Sequence, residues 1–217
     1  MIIEFLGIPG SGKTYHANLL KQQMKNEGTK YIDISRYKGT PLLLKVLYKV
    51  YDFAILVLPK YRKQFWKYKK ICLDSQEEPN YIPLSLDSCI KDIVLYSLVY
   101  DLFRFSKKVI VNDEGQLHRL VFLAVQFNVS FEKLLSVYMQ YRDDVSIRYI
   151  KTSSELALKN IKYRNRSICA MDKMKNDVLI DYVNSFEDVC NKLECHNYDF
   201  VSVITSNTNH NANTSLQ

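Results

Sequence analysis

Short unbroken apolar runs alternate along the chain with longer stretches whose apolar residues fall three or four positions apart. The runs predict buried strands, and the wider spacing predicts helices packed on them. Ile2-Ile3-Glu4-Phe5-Leu6 opens the series as a strand. Thr14 to Asn26 carries Ala17, Leu19, Leu20 and Met24 at helical spacing, with Gly28 as its stop. Lys30 to Ile34 predicts a short second strand. A mostly helical stretch follows from Pro41 to about Phe105, interrupted at Pro59, Pro79 and Pro83, and its last helix starts near Ser85 and runs through Leu95, Leu98, Val99, Leu102 and Phe103. Val109 to Asn112 predicts a third strand, with helices over Gln116 to Gln126 and Phe131 to Gln140. Ser146 to Lys151 predicts a fourth strand, Ser153 to Tyr163 and Asn176 to Glu194 two further helices, and Tyr198 to Thr205 a last strand. Strands that alternate with helices, several of them continuously apolar, predict an α/β fold: a parallel sheet of about five strands covered on both faces. Ser206 to Gln217 is rich in Asn, Ser and Thr and reads as a disordered tail, leaving residues 1–205 as a single domain.

A length of 217 residues with 47% hydrophobic content suits one well-packed domain and is short for a typical pair. The strand at the N-terminus leaves no basic region followed by an apolar signal core, which predicts a cytoplasmic location. Cys72, Cys89, Cys169, Cys190 and Cys195 are odd in number and fall in no C-x-x-C spacing, which argues against a disulfide framework and a zinc site and for reduced, structural thiols. His16, His118, His196 and His210 are scattered without ligand spacing and read as structural or solvated.

The chemistry is concentrated after the first strand. Gly7-Ile8-Pro9-Gly10-Ser11-Gly12-Lys13-Thr14 matches G-x-x-x-x-G-K-[ST] between a predicted strand and a predicted helix. In that context the backbone turns through Gly7, Gly10 and Gly12 with its N–H groups inward, and the positive helix end faces the same point, which makes a phosphate cradle. Lys13 then serves the β- and γ-phosphates and the Thr14 hydroxyl serves Mg²⁺, so the loop predicts a nucleoside triphosphate, ATP, as ligand. A second signal closes the third strand at Asn112-Asp113-Glu114-Gly115. Paired with the loop, Asp113 is the candidate for holding Mg²⁺ directly or through water.

With these residues in view, the chain resembles the P-loop kinases of small molecules, above all the thymidylate kinase and deoxynucleoside kinase group. The phosphate loop is one matching piece and Asp113 at the end of the third strand is another. The third is Ile150 to Arg166, which looks like the group's strand, its Ser-x-Glu-x-Ala helix start and an Arg-x-Arg lid formed here by Arg164 and Arg166. Ser153 or Ser154 caps that helix and Glu155 lies in its first turn, so the helix delivers the two guanidiniums to its far end, where they can neutralise charge on a transferred phosphoryl group. The resemblance implies a three-layer P-loop NTPase fold with a helical insert, residues 36–105, between strands 2 and 3 that binds the acceptor. It implies transfer of the ATP γ-phosphoryl group to a nucleoside, nucleotide, sugar or related alcohol. It also implies that Asp33, closing the second strand, is a general base.

The chain departs from the group in placing Glu114, where an Arg or similar residue is usual, after the third-strand acid. Asp113-Glu114 is what hydrolysing P-loop ATPases use to polarise water, so an ATPase stays open as the rival, with Glu114 as the group that activates water. A regulatory protein that only binds nucleotide is the third class. Little chain follows the last strand, a departure that predicts an adenine pocket built differently from the group's.

The insert is unusual in charge. Residues 36–70 hold Arg36, Lys38, Lys45, Lys49, Lys60, Arg62, Lys63, Lys67, Lys69 and Lys70 against Asp52 alone, while the whole chain is only +7. Aromatic and aliphatic residues interleave with these bases, and Pro41 to Leu58 is too short and too charged for a confident membrane span. Such a segment lies on an anionic membrane surface, grips an anionic acceptor, follows a nucleic-acid backbone, or is a core helix with a solvated basic face. No specific nucleic-acid signature accompanies it, and peripheral contact through 36–70 would place the protein at the inner membrane surface.

Overall fold

The computed structural model describes residues 1–35, 57–73, 78–164, 171–195 and 198–205. Five strands form one all-parallel sheet: β1 (Ile2–Leu6), β2 (Tyr31–Asp33), β3 (Val109–Asn112), β4 (Val145–Lys151) and β5 (Val201–Thr205), in the spatial order β2-β3-β1-β4-β5. β1 lies at the centre, its Glu4 beside Asn112 of β3 and Ile147 of β4. Parallel strands need crossovers, and helices provide them: α1 (Lys13–Asn26), α2 (Pro59–Leu73), α3 (Leu86–Phe103), α4 (Gln116–Phe127), α5 (Phe131–Met139), α6 (Ser154–Tyr163) and α7 (Asn176–Cys195).

Alternation along β1 sorts its side chains into two cores. Ile3 and Phe5 pack with Ala17, Leu20 and Met24 of α1, while Ile2 and Leu6 face the larger cluster built by α2, α3, α4, α5 and α7. The result is the three-layer arrangement expected from a sheet covered on both faces. Ser85 caps α3 by accepting from the Ser88 N–H at 3.3 Å, and the helix is buried almost all round from Ile93 to Tyr100.

Element identities follow the apolar pattern, and the differences have local causes. Leu19 and Leu102 fall on the solvent sides of their helices. Pro59 opens α2, since proline fits a first helical turn where its missing N–H has no partner to lose. β5 starts at Val201 because Asp199 and Phe200 form a turn after Tyr198. β5 is an edge strand and only partly buried. Cys72, Cys89 and Cys190 are buried free thiols, and burial pushes those of Cys72 and Cys89 up to about 12, which keeps them unreactive as structural residues. The expectations for Arg36 to Leu56, Arg166, Cys169, His196 and the tail lie outside the described residues, as does the side chain of Cys195. No described helix is long and apolar enough to cross a membrane.

Candidate active site

Strand β1 ends at Leu6 and the chain enters the glycine loop with positive φ at Gly7, Gly10 and Gly12 (155°, 86° and 90°). The turn is packed from below by α6. A side chain at Gly10 would run into the carbonyl of Ala157, while Asn160 Nδ2 donates to the Gly10 carbonyl at 3.0 Å and Thr152 Oγ1 to that of Ser11 at 3.3 Å. Only glycine fits at position 10, on both steric and conformational grounds. Gly12 caps α1 without a side-chain hydrogen bond, and the first turn of the helix contains no acidic residue. The positive end of α1 is therefore open to an anion, the condition a phosphate needs.

Lys13 is 6% exposed, and its Nζ donates to the carbonyls of Gly7 at 2.9 Å and Ile8 at 3.0 Å, so the ammonium sits inside the loop it belongs to. Burial lowers its pKa, opposed by the nearby carboxylates of Glu114 and Asp113 and assisted by Arg164. These electrostatic partners bring four sequence-predicted residues around one point. Thr14 Oγ1 donates to Asp113 Oδ2 at 2.8 Å, joining the loop to the end of β3 across 99 residues of sequence. Thr14 is exposed and Asp113 buried, so two hard oxygens meet at the mouth of the cradle. That donor set fits Mg²⁺, which takes one or two protein oxygens and completes its shell with phosphate and water. Among the described residues no cluster of three or more His, Cys, Asp or Glu offers a closed metal cage.

Glu114 continues the turn, its N–H donating to Asn112 Oδ1 at 3.2 Å. Its carboxylate lies 3.6 Å from the Arg119 guanidinium of α4. Burial opposes the charge on Arg119, but Tyr96, Glu114 and Asp92 outweigh it and hold the guanidinium firmly protonated. Arg119 also lines a cavity of about 150 Å³ between α3 and α4, shared with Leu84, Ser88, Cys89, Asp92 and Phe122. Glu114 is thus within electrostatic reach of both Lys13 and a guanidinium that lines this cavity.

Asp33 closes β2 but is already engaged, receiving Lys21 Nζ of α1 at 2.8 Å and the Ser35 N–H at 3.0 Å. Burial would raise its pKa, yet these hydrogen bonds and the lysine charge more than offset it, leaving the carboxyl below its ordinary value and a weaker base. Arg164 caps the C-terminal end of α6 and is exposed, within electrostatic reach of Lys13. His118, read as structural or solvated, is the former: it is buried against Phe186, ring centroids 5.1 Å apart, and burial together with Lys13 and Arg119 holds its pKa well below 6.5.

Beneath the acidic turn lies a buried polar network that the apolar pattern conceals. Glu4, 1% exposed in the middle of β1, accepts from the N–H groups of Gln116 at 3.0 Å and Leu117 at 2.9 Å, and from the Tyr100 hydroxyl, so it caps α4 from inside the sheet. Burial raises its pKa against those hydrogen bonds. Arg142 donates to the side chain of Gln116 at 3.3 Å, the carbonyl of Ser97 at 2.6 Å and Asp101 at 2.9 Å, and Asp101 in turn receives Tyr61 of α2 at 2.7 Å. The network fixes the start of α4, and with it the segment carrying Asp113 and Glu114.

The phosphate loop, the acidic turn and helix α6 meet at the C-terminal ends of parallel strands, where open α/β sheets bind ligands. A solved structure of similar fold is deoxyadenosine kinase from M. mycoides with the products dCMP and a flexible dCDP bound, which matches at TM-score 0.50 with 17% identity, over 94% of this chain and 90% of that one. The fold is that of the P-loop deoxynucleoside kinases. A second structure of the M. mycoides kinase, with dATP bound, matches at TM-score 0.49 with 16% identity, over 94% of this chain and 91% of that one. Neither a protein-family model nor a curated protein matches the sequence.

Proposed function

We propose that the protein is an ATP-dependent phosphotransferase that moves the γ-phosphoryl group to a hydroxyl of a small acceptor, a nucleoside being the class favoured by its fold. The observation that carries this reading is the Thr14–Asp113 bridge at 2.8 Å, which unites the phosphate loop with the acidic turn that leads to the Arg119 cavity. ATP lies with its phosphates in the Gly7, Pro9, Gly10, Ser11, Gly12 loop, and Lys13 turns from the carbonyls of Gly7 and Ile8 to the β- and γ-phosphates. Thr14 and Asp113 would hold Mg²⁺, which would supply charge neutralisation to the phosphates. The acceptor occupies the cavity side of the turn, and its hydroxyl oxygen attacks the γ-phosphorus. The P–O bond to the β-phosphate breaks, ADP leaves with the electron pair, and the hydroxyl proton passes to Glu114. Arg164, with Arg166, closes over the phosphates and balances the charge that spreads over the transferred group.

Glu114 is preferred over Asp33 as proton acceptor because Lys21 holds Asp33 at 2.8 Å, whereas the Arg119 guanidinium stands off from the Glu114 carboxylate at 3.6 Å and itself lines the cavity. An ATP-consumption screen across nucleosides, nucleotides, sugars and sugar phosphates tests the proposal. Consumption that rises only with an acceptor, most of all a nucleoside, supports transfer. Acceptor-independent release of phosphate supports the ATPase, and nucleotide binding without turnover supports a regulatory protein.

A further inference from the structure

Helix α2 is a surface helix of one charge sign. Its inward face, Tyr61, Gln64, Phe65, Tyr68 and Cys72, is buried. The helix contains six bases, Lys60, Arg62, Lys63, Lys67, Lys69 and Lys70, and no acid. Those on its flanks are engaged by the body of the protein: Lys60 pairs with Asp101, Lys69 with Asp87, and Lys67 donates to Gln140. Arg62, Lys63 and Lys70 point to solvent and make no ion pair among the described residues. Between them the same face exposes large apolar groups, Trp66 at 55% and Leu73 at 56%, and Val57 and Leu58 are exposed just before the helix. Exposing such residues to water is unfavourable, and placing them among solvent-facing cations gives the face two affinities at once.

We propose that this outward face of α2 docks the protein on an anionic lipid bilayer. Cations there gain from the negative surface potential, and their aliphatic stems let the charges stay at headgroup level while Trp66 and Leu73 enter the boundary with the acyl chains. Tryptophan favours that boundary because its ring is apolar and its N–H stays wet. A soluble polyanion would satisfy Arg62, Lys63 and Lys70 but gives Leu58 and Leu73 nothing to bury against. None of these residues belongs to the phosphate loop or the acidic turn, so the docking stands whether or not the protein transfers phosphoryl groups.

Trp66 is the sole tryptophan of the chain, so its fluorescence reports directly from the proposed contact. Phosphatidylcholine vesicles with and without phosphatidylglycerol provide the probe. Docking predicts a blue shift and quenching by brominated acyl chains only in the anionic vesicles, both weakening as salt is raised. Replacing Arg62→Glu, Lys63→Glu and Lys70→Glu together should lower vesicle affinity by about a hundredfold or more, at about tenfold or less per charge. An unchanged urea midpoint shows that the variant folds, and the salt dependence of the unaltered protein tests the charge term without any variant. Fluorescence indifferent to anionic vesicles would overturn the proposal. So would a shift produced by inorganic polyphosphate or single-stranded DNA and not by vesicles, or vesicle binding equal in the folded charge-reversed protein.

Discussion

Replacing Gly115→Ala strikes the packing that holds the acidic turn. The backbone at Gly115 is extended, with φ −79° and ψ −165°, so alanine suits its conformation and the obstacle is purely steric. A Cβ at this position would overlap Cγ, Cδ and Oε2 of Glu4. Glu4 has nowhere to move: it is buried in the central strand and holds the Gln116 and Leu117 N–H groups at 3.0 and 2.9 Å. Overpacking of this kind costs about 1–3 kcal/mol, and a displaced carboxylate forfeits hydrogen bonds worth about 1.5–3 kcal/mol each. A total loss of about 3–5 kcal/mol is expected, a large part of the roughly 5–15 kcal/mol that holds a native domain together. For a chain of this length that lowers the thermal midpoint by about 6–20 °C, read by circular dichroism. Glu4→Ala removes the atoms that clash, so adding Gly115→Ala to it should lower the midpoint by no more than about 2 °C further. A Gly115→Ala protein that melts with the parent, or a drop of the same size in the Glu4→Ala background, would refute the assignment of Glu4 as the internal cap of α4.

Other perturbations separate chemistry from folding. Lys13→Ala should cut turnover by about a hundredfold or more in a protein that still folds, measured by initial rates beside a thermal melt. Asp113→Asn should abolish Mg²⁺-dependent turnover and Glu114→Gln should reduce it, whereas Glu114→Gln trapping unhydrolysed ATP would favour the ATPase. His118 carries a pH signature: below its ordinary pKa of about 6.5 the unfolded imidazole takes up a proton while the folded one stays neutral, so stability present above that pH is lost as the pH falls. Urea midpoints from pH 7 down to 5 should therefore decline less steeply in His118→Phe than in the parent.

The phosphate loop was legible because its chemistry is local: eight consecutive residues make the turn, the lysine and the hydroxyl, and the flanking patterns supply strand and helix. Asp113 was legible by its place at a strand end. Glu4 was not, because one acid inside an apolar run looks like an exception to burial, and its partners Gln116 and Leu117 lie more than a hundred positions away. Arg142 and Arg119 were hidden for the same reason, one buried and the other partly buried where α3 brings carboxylates and aromatic rings to them. Asp33 shows the reverse case, a residue correctly placed at a strand end whose engagement with Lys21, twelve positions earlier, no spacing rule announces. The basic insert was read as a charge excess, and the structure divides its helix into bases tied to Asp87 and Asp101 and bases turned to solvent.

A phosphotransferase moves the γ-phosphoryl group from one molecule to another. ATP carrying heavy oxygen on its γ-phosphoryl group, incubated with the protein, Mg²⁺ and a nucleoside mixture, tests for that transfer by mass spectrometry of the products. The heavy oxygens are expected in a phosphate ester of the nucleoside, and absent from it when Lys13 is replaced by alanine. Heavy oxygens found only in inorganic phosphate, at a rate indifferent to every acceptor, would contradict transfer.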